Sequence, residues 1–145
     1  MYDNPLLHLA LFAAWAIFLL VLIELVRSWL MSARNYPVTG FPAGERHGPD
    51  AYWRLYRAQA NCLEFLPLYG TVVVAMIVSG QEIPPFFGLA SLIIIAVRPL
   101  QSLVHIVSTS ASAIRVRASL FLIQLTALAT MCWLTVQTLV TTLTA

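Results

Sequence analysis

Four charged or amide residues and one leucine between positions 54 and 68 lie at the spacing of one helical face. Arg54, Arg57, Asn61, Glu64 and Leu68 follow one another at steps of three, four, three and four residues, which places them in one row along a helix. The planar fork of arginine suits ordered ion pairs and the recognition of carboxylates. The row therefore predicts a surface that pairs with charged groups.

A second row of polar residues follows further along the chain. Arg98, Gln101 and His105 are spaced by three and four residues and so share one face of a helix. The two rows are separated by the turn-forming segment 80–85, which starts with Gly and ends with Pro. A helical hairpin around this segment would set the rows side by side.

The composition places both rows in a membrane. Of the 145 residues, 60% are hydrophobic and 10% are charged, whereas a soluble domain has about 25% charged residues. Four stretches approach the roughly 20 apolar residues that cross a bilayer. We predict an all-α integral membrane protein in which residues 1–145 form one domain, a bundle of four transmembrane helices at about 6–32, 54–79, 85–108 and 117–143.

Antiparallel packing of the second and third helices matches their polar rows by depth. When the hairpin is folded about Gln81, residues at equal distance from the turn lie at similar depth. The matched pairs are Glu64 with Arg98, Asn61 with Gln101, and Arg57 with His105. We therefore predict a polar pocket that opens to the cytoplasm.

Glu64 and Arg98 lie deepest in this pocket. At 1.5 Å rise per residue, each is about 15 Å from the cytoplasmic end of its helix, where an unpaired charge is hard to sustain. We predict an ion pair between them at the pocket floor. The alternative is a buried network that only fixes helix register, with Arg54 and Arg57 as ordinary interfacial charges.

The distribution of arginine predicts the orientation. All eight basic residues are arginine; the second connection and both ends of the chain have none. Because positive residues favour cytoplasmic connections, we predict that the first and third connections are cytoplasmic and that both termini are non-cytoplasmic. Such a multi-pass protein would reside in a bacterial inner membrane or in the eukaryotic endoplasmic reticulum.

Two cysteines, Cys62 and Cys132, lie in predicted spans, and neither has a Cys or His partner at metal-ligand spacing. We assign both to packing and expect no metal site. We also expect no nucleic-acid partner.

The most specific signal lies in the second predicted helix. Residues 57–67 read RAQANCLEFLP, which closely resembles the second-helix signature of the MAPEG family, the membrane-associated proteins in eicosanoid and glutathione metabolism. Weaker matches extend the similarity over essentially the whole chain: Ser32-Ala33-Arg34, Arg98, and Arg117 with Phe121 and Gln124.

This resemblance implies a four-helix bundle that forms a homotrimer and holds one glutathione at each subunit interface, near the cytoplasmic side. Glutathione has two carboxylates, which suit arginine forks, and one amine, which suits an acceptor such as Glu64 or the Asn61 carbonyl. The resemblance implies that glutathione contacts Arg34, Arg57, Gln59, Asn61, Glu64 and Arg98. We add Gln101 and His105 to these contacts because they share the third-helix row with Arg98.

Arg117 matches the family's thiol-activating arginine. A free cysteine thiol has a pKa near 8.5, and a nearby cation favours the reactive thiolate. We place Arg117 in the first turn of the fourth predicted helix, whose amino end also favours an anion. Arg115 is the alternative, because the third connection differs in length from that of the relatives.

The resemblance implies a membrane-bound glutathione transferase, an enzyme of detoxification, with glutathione-dependent peroxidase activity toward lipid hydroperoxides as a second activity. A hydrophobic, lipid-like second substrate would enter from the bilayer. Phe65 stands where glutathione-using relatives often have tyrosine, and Gln101 and His105 differ from the eicosanoid synthases, which argues against a dedicated synthase.

Two other functions stay open. The family also includes a lipoxygenase-activating protein that presents lipid without conjugating it, so a non-enzymatic lipid-binding scaffold is one alternative. A small proton-coupled transporter with Glu64, Arg98 and His105 as a relay is the other, although the chain lacks broken-helix repeats.

Overall fold

The computed structural model describes residues 4–42 and 45–144. Over these residues the chain forms four long α-helices: α1 at Pro5–Ala33, α2 at Asp50–Val78, α3 at Pro85–Val107 and α4 at Ala111–Thr144. A short 3-10 turn at Val38–Gly40 lies between α1 and α2. Each α-helix is long and apolar enough to cross a membrane. The predicted all-α architecture with four candidate spans is confirmed.

The helix ends follow local sequence signals. The Asn4 side chain accepts a hydrogen bond from the backbone N–H of Leu7 at 3.0 Å, and Pro5 is the first residue of α1, where its missing N–H costs nothing. Gly80 adopts a positive φ of 69° in the turn after α2, a conformation that glycine reaches without strain. This turn brings the carboxyl-terminal end of α2 close to the amino-terminal end of α3.

Two helices begin earlier than predicted. Helix α2 starts at Asp50 rather than at residue 54, because Pro49 precedes it in an extended conformation and an acidic residue occupies its first turn. Helix α4 starts at Ala111 rather than at residue 117, because the Ser110 hydroxyl caps it by accepting a hydrogen bond from the N–H of Ala113 at 3.2 Å. Serine is a strong helix N-cap.

This difference corrects the placement of Arg117. The residue lies about one and two-thirds turns inside α4, so it is not in the first turn as predicted. The amino-terminal dipole acts mainly within the first turn. Any effect of Arg117 on an anion must therefore come from its own guanidinium.

Helices α2 and α3 form the middle of the bundle. Helix α1 packs against both of them, and α4 packs against both as well, with its most extensive contact to α3. The fully buried core draws on all four helices through side chains such as Phe12, Tyr69, Ile94 and Met131. Large apolar side chains also point outward, including Ile17, Leu25 and Leu122, as expected of helices that face lipid tails.

Candidate functional site

A cavity of about 540 Å³ lies between α2, α3 and α4, toward the end of the bundle that carries the first and third connections. Its volume falls within the roughly 300–1,000 Å³ of small-molecule sites. The residues that line it are Asn61, Glu64, Phe65 and Leu68 of α2, Arg98, Gln101 and His105 of α3, and Ile114, Arg117, Ala118 and Phe121 of α4.

The floor of the cavity is built around Arg98, which is only 1% exposed. Its Nη1 donates to Oε1 of Gln101 at 2.6 Å, and its Nη2 donates to the backbone oxygen of Asn61 at 2.7 Å. The guanidinium also lies 4.7 Å from the ring centroid of Phe65 and 5.3 Å from that of Phe12. Neutral oxygens and aromatic faces therefore hold this cation in place.

The predicted Glu64–Arg98 ion pair is wrong. The described residues contain two ion pairs, Glu24–Arg27 and Arg46–Asp50. Arg98 turns inward to Asn61 and Gln101, whereas Glu64 is an exposed residue on the wall of the same cavity. Neutral acceptors bind both terminal nitrogens of the Arg98 guanidinium without burying a carboxylate, which avoids the large cost of desolvating a second charge.

The cavity carries an excess of fixed positive charge. Two arginines, Arg98 and Arg117, line it together with a single carboxylate, that of Glu64. The buried Nε of Arg98 has no hydrogen-bond partner among the described residues. A buried cation without an ion-pair partner among the described residues favours an anionic ligand, because that ligand supplies a counter-charge in direct contact.

A hydrogen-bonded amide network joins the floor to α4. Oε1 of Gln101 also accepts a hydrogen bond from Nε2 of Gln124 at 3.0 Å, and Nε2 of Gln101 donates to the backbone oxygen of Arg117 at 3.3 Å. Gln124 is fully buried and also donates to the backbone oxygen of Leu120 at 3.1 Å. The backbone of α4 is thus tied to α3 beside the Arg117 side chain.

Four of the residues expected at the site do not line this cavity. Arg57 and Arg115 are exposed on α2 and α4, respectively. Gln59 is buried, at 5% exposure, and contributes no surface to the cavity. Arg34 follows the end of α1, where its guanidinium lies 5.1 Å from the ring centroid of Trp29 in a separate groove. Of the two alternatives on α4, the structure places Arg117 on the cavity wall.

Part of the cavity lining is apolar and exposed on the surface of the bundle. Leu68 is 60% exposed and Phe121 is 42% exposed, and Ile114 and Ala118 add further apolar surface. On α4 these residues share a helix face with Arg117, so apolar and charged groups lie next to each other. The cavity can therefore hold a polar ligand next to an apolar one.

The contacts of three residues at or beside the site were not predicted from the sequence. Phe12 sits in an apolar run that gives no sign of its contact with Arg98. Gln124 is a polar residue inside a span, a signal that can mark a buried network. Arg54 belongs to the polar row of α2, but its Nε donates to the backbone oxygen of Ile106 at 2.8 Å. It therefore caps the end of α3.

The model of the MAPEG family matches residues 8–137 of the 145-residue chain. The matched range reaches into all four α-helices and includes every residue that lines the cavity. No curated protein matches the chain at a significant level.

Proposed function

The chain belongs to the MAPEG family and is an integral membrane protein, and from this premise we propose that it is a membrane-bound glutathione transferase. The family includes glutathione transferases and also non-enzymatic members. One observation carries the proposal: Arg98, buried at the floor of the cavity, has no carboxylate paired with it, and Arg117 lines the same wall. An anionic tripeptide such as glutathione supplies the counter-charge.

Five polar residues of the cavity, together with Arg57 outside it, have roles in this proposal. Arg98 provides fixed positive charge at the floor, and the exposed Arg57 receives a glutathione carboxylate at the mouth. Glu64 accepts hydrogen bonds from the ligand amine, while Asn61 and His105 bind its amides. Arg117 stabilises the sulfur anion, so that more of the thiol is ionised at neutral pH.

The conjugation step follows from this arrangement. The glutathione thiol releases its proton to water, and the thiolate beside Arg117 attacks an electrophilic carbon of the second substrate. A sulfur–carbon bond forms, and the leaving group departs with the electron pair of the bond that breaks. The protein supplies charge stabilisation and positioning, and forms no covalent bond itself.

The apolar part of the cavity lining accounts for the second substrate. Leu68, Ile114 and Phe121 line the cavity and are exposed on the surface of the bundle, which supports the approach of a hydrophobic electrophile from the lipid. A lipid hydroperoxide would react at the same place: the thiolate attacks the terminal peroxide oxygen, a sulfur–oxygen bond forms as the O–O bond breaks, and glutathione becomes a sulfenic acid. The departing lipid alkoxide takes a proton from water and becomes the lipid alcohol. A second glutathione then converts the sulfenic acid to glutathione disulfide and water.

A trimer would complete the site. Arg34 lies in a separate groove with Trp29 and Tyr36, so within one chain it does not line the cavity. In the proposed trimer, Arg34 of a neighbouring copy contributes a glutathione contact, as the family resemblance implies. Sedimentation equilibrium of the detergent-solubilised protein tests this: we expect three chains per particle, and a monomer would contradict it.

The orientation proposed from the arginine distribution suits this site. The cavity lies at the end of the bundle that carries the first and third connections, which we assign to the cytoplasm, with both termini on the other side. Glutathione would then enter from the cytoplasm.

The transferase activity is tested with Arg117→Ala and its matched control, Arg115→Ala. We expect Arg117→Ala to lower kcat for conjugation of an electrophilic aromatic substrate by about a hundredfold, comparable with the loss of one charge-stabilising donor. Arg115 is exposed and outside the cavity, so its variant should keep wild-type turnover. Glutathione binding by the wild-type protein without any turnover would instead favour the lipid-presenting scaffold.

A further inference from the structure

The side chain of Gln101 is a joint between α3 and α4. Its Oε1 accepts hydrogen bonds from Nη1 of Arg98 and from Nε2 of Gln124, and its Nε2 donates to the backbone oxygen of Arg117. Because arginine can only donate, the oxygen of this amide must face Arg98, which fixes the orientation of the whole group. Three of the four hydrogen-bonding positions of the amide are thus already occupied.

We infer that Gln101 and Gln124 are positioning residues that set the place of Arg117 on the cavity wall; this inference rests on the proposed function of Arg117. Gln101 was expected to contact glutathione, but its amide is committed to the protein and only 9% of the residue is exposed. Gln124 is fully buried and lies outside the cavity lining.

The spacing of the two α4 contacts explains how the joint works. Arg117 and Gln124 are seven residues apart, about two helical turns, so they lie on one face of α4. Both bond to the same side chain of α3. A slide of α4 by one residue, about 1.5 Å, would break both hydrogen bonds. The buried α4 side chains next to this region, such as Ala127 and Leu128, are apolar and impose no such directional constraint.

The joint also couples Arg117 to the cavity floor. Oε1 of Gln101 accepts hydrogen bonds from both Gln124 and Arg98, and Nε2 of the same side chain donates to the backbone of Arg117. The positions of Arg98 and Arg117 therefore both depend on the Gln101 side chain. A displacement of about 1 Å at a reacting centre can cost about a hundredfold in rate. The joint therefore bears on turnover more than on the affinity for glutathione.

The first test needs no ligand and uses Gln124→Met, which keeps the length of the side chain and removes its hydrogen-bond donor. The full-length protein in detergent is treated with phenylglyoxal, and the modification of each arginine is followed by peptide mass spectrometry. We expect Arg117 to react severalfold faster in the variant, while Arg115 on the same helix keeps its rate. An unchanged Arg117 rate would overturn the inference.

The matched control is Gln137→Met, at an exposed glutamine further along α4 that does not line the cavity. It should leave the Arg117 rate at the wild-type value, and a rise equal to that of Gln124→Met would overturn the inference. If Gln124→Met fails to fold, Gln124→Asn, whose shorter amide stops short of Gln101, replaces it with the same expectations.

The second test separates positioning from a general loss of structure. For conjugation we expect Gln124→Met to lower kcat roughly tenfold or more and to leave KM for glutathione within about twofold. A rise in KM with kcat unchanged would overturn the inference. Absence of glutathione binding in the wild-type protein would contradict the proposed function but not the positioning of Arg117, because the phenylglyoxal rates report that position without ligand.

Discussion

A buried arginine inside a membrane protein requires partners, and those of Arg98 are neutral oxygens and aromatic rings rather than an acid. This choice leaves the positive charge of Arg98 available to a ligand. Glu64, which a matching by depth predicts as the partner of Arg98, remains on the cavity wall as a separate acceptor. The two groups can thus bind opposite charges of one zwitterionic ligand.

A prediction at the residue scale follows for Glu64. Glu64→Gln keeps the size of the side chain and removes its charge, so a ligand amine loses a charge-assisted hydrogen bond of about 1.5–3 kcal/mol. We expect glutathione to bind about ten- to a hundredfold more weakly, as measured by isothermal titration calorimetry.

The control for Glu64 is a glutathione analogue that lacks the amine. It should bind the Glu64→Gln variant at least as well as the wild-type protein, because the variant has a more positive cavity. Equal weakening of both ligands would show that Glu64 does not receive the amine.

Residue spacing predicted much of the cavity but not its contacts. Asn61, Glu64, Arg98, Gln101 and His105 line one cavity because helical steps of three and four and a short turn constrain where they can lie. The direction of a long side chain depends on packing, so the inward turn of Arg98 was not predictable. Phe12 has no signal of its own, since an aromatic residue in an apolar run looks like any lipid-facing one.

At the scale of elements, a hydrogen bond from α2 caps the carboxyl-terminal end of α3. The Nε of Arg54 donates to the backbone oxygen of Ile106 in the last turn of α3, where carbonyl groups lack helical partners. The α3 segment that carries Arg98, Gln101 and His105 is therefore held against the start of α2.

We expect Arg54→Leu to destabilise the bundle by about 1.5–3 kcal/mol, the value of a hydrogen bond from a charged group. Arg46→Leu is the matched control, because Arg46 forms an exposed ion pair with Asp50 that is worth about 0–1 kcal/mol. Equilibrium unfolding in mixed micelles measures both. Equal losses for the two variants would contradict a capping role for Arg54.

The element boundaries show where sequence patterns are weak. The apolar stretches fixed the existence of four helices, because a bilayer demands long apolar segments. The apolar stretches place the starts of α2 and α4 too late, because the first turns of both helices, from Asp50 and from Ala111, precede those stretches. Capping by Ser110 extends α4 past the apolar segment, and this moved Arg117 away from the helix end.

At the scale of the whole molecule, three of the four helices form a site that combines charged groups with exposed apolar surface. Arg98 and Arg117 supply the charge, and Leu68 and Phe121 supply apolar surface. A water-soluble thiol and a hydrophobic partner can therefore lie next to each other. Arg34, in its separate groove, is the residue that only an assembly of several chains could add.

The central claim is that this cavity binds glutathione, and a calorimetric titration of the purified protein in detergent tests it most directly. We predict saturable binding of one glutathione per chain. In Arg98→Met, which removes the buried charge, binding should weaken at least tenfold, as expected when one hydrogen bond from a charged group is lost. Absence of saturable binding to the wild-type protein, or equal affinity in Arg98→Met, would contradict the account.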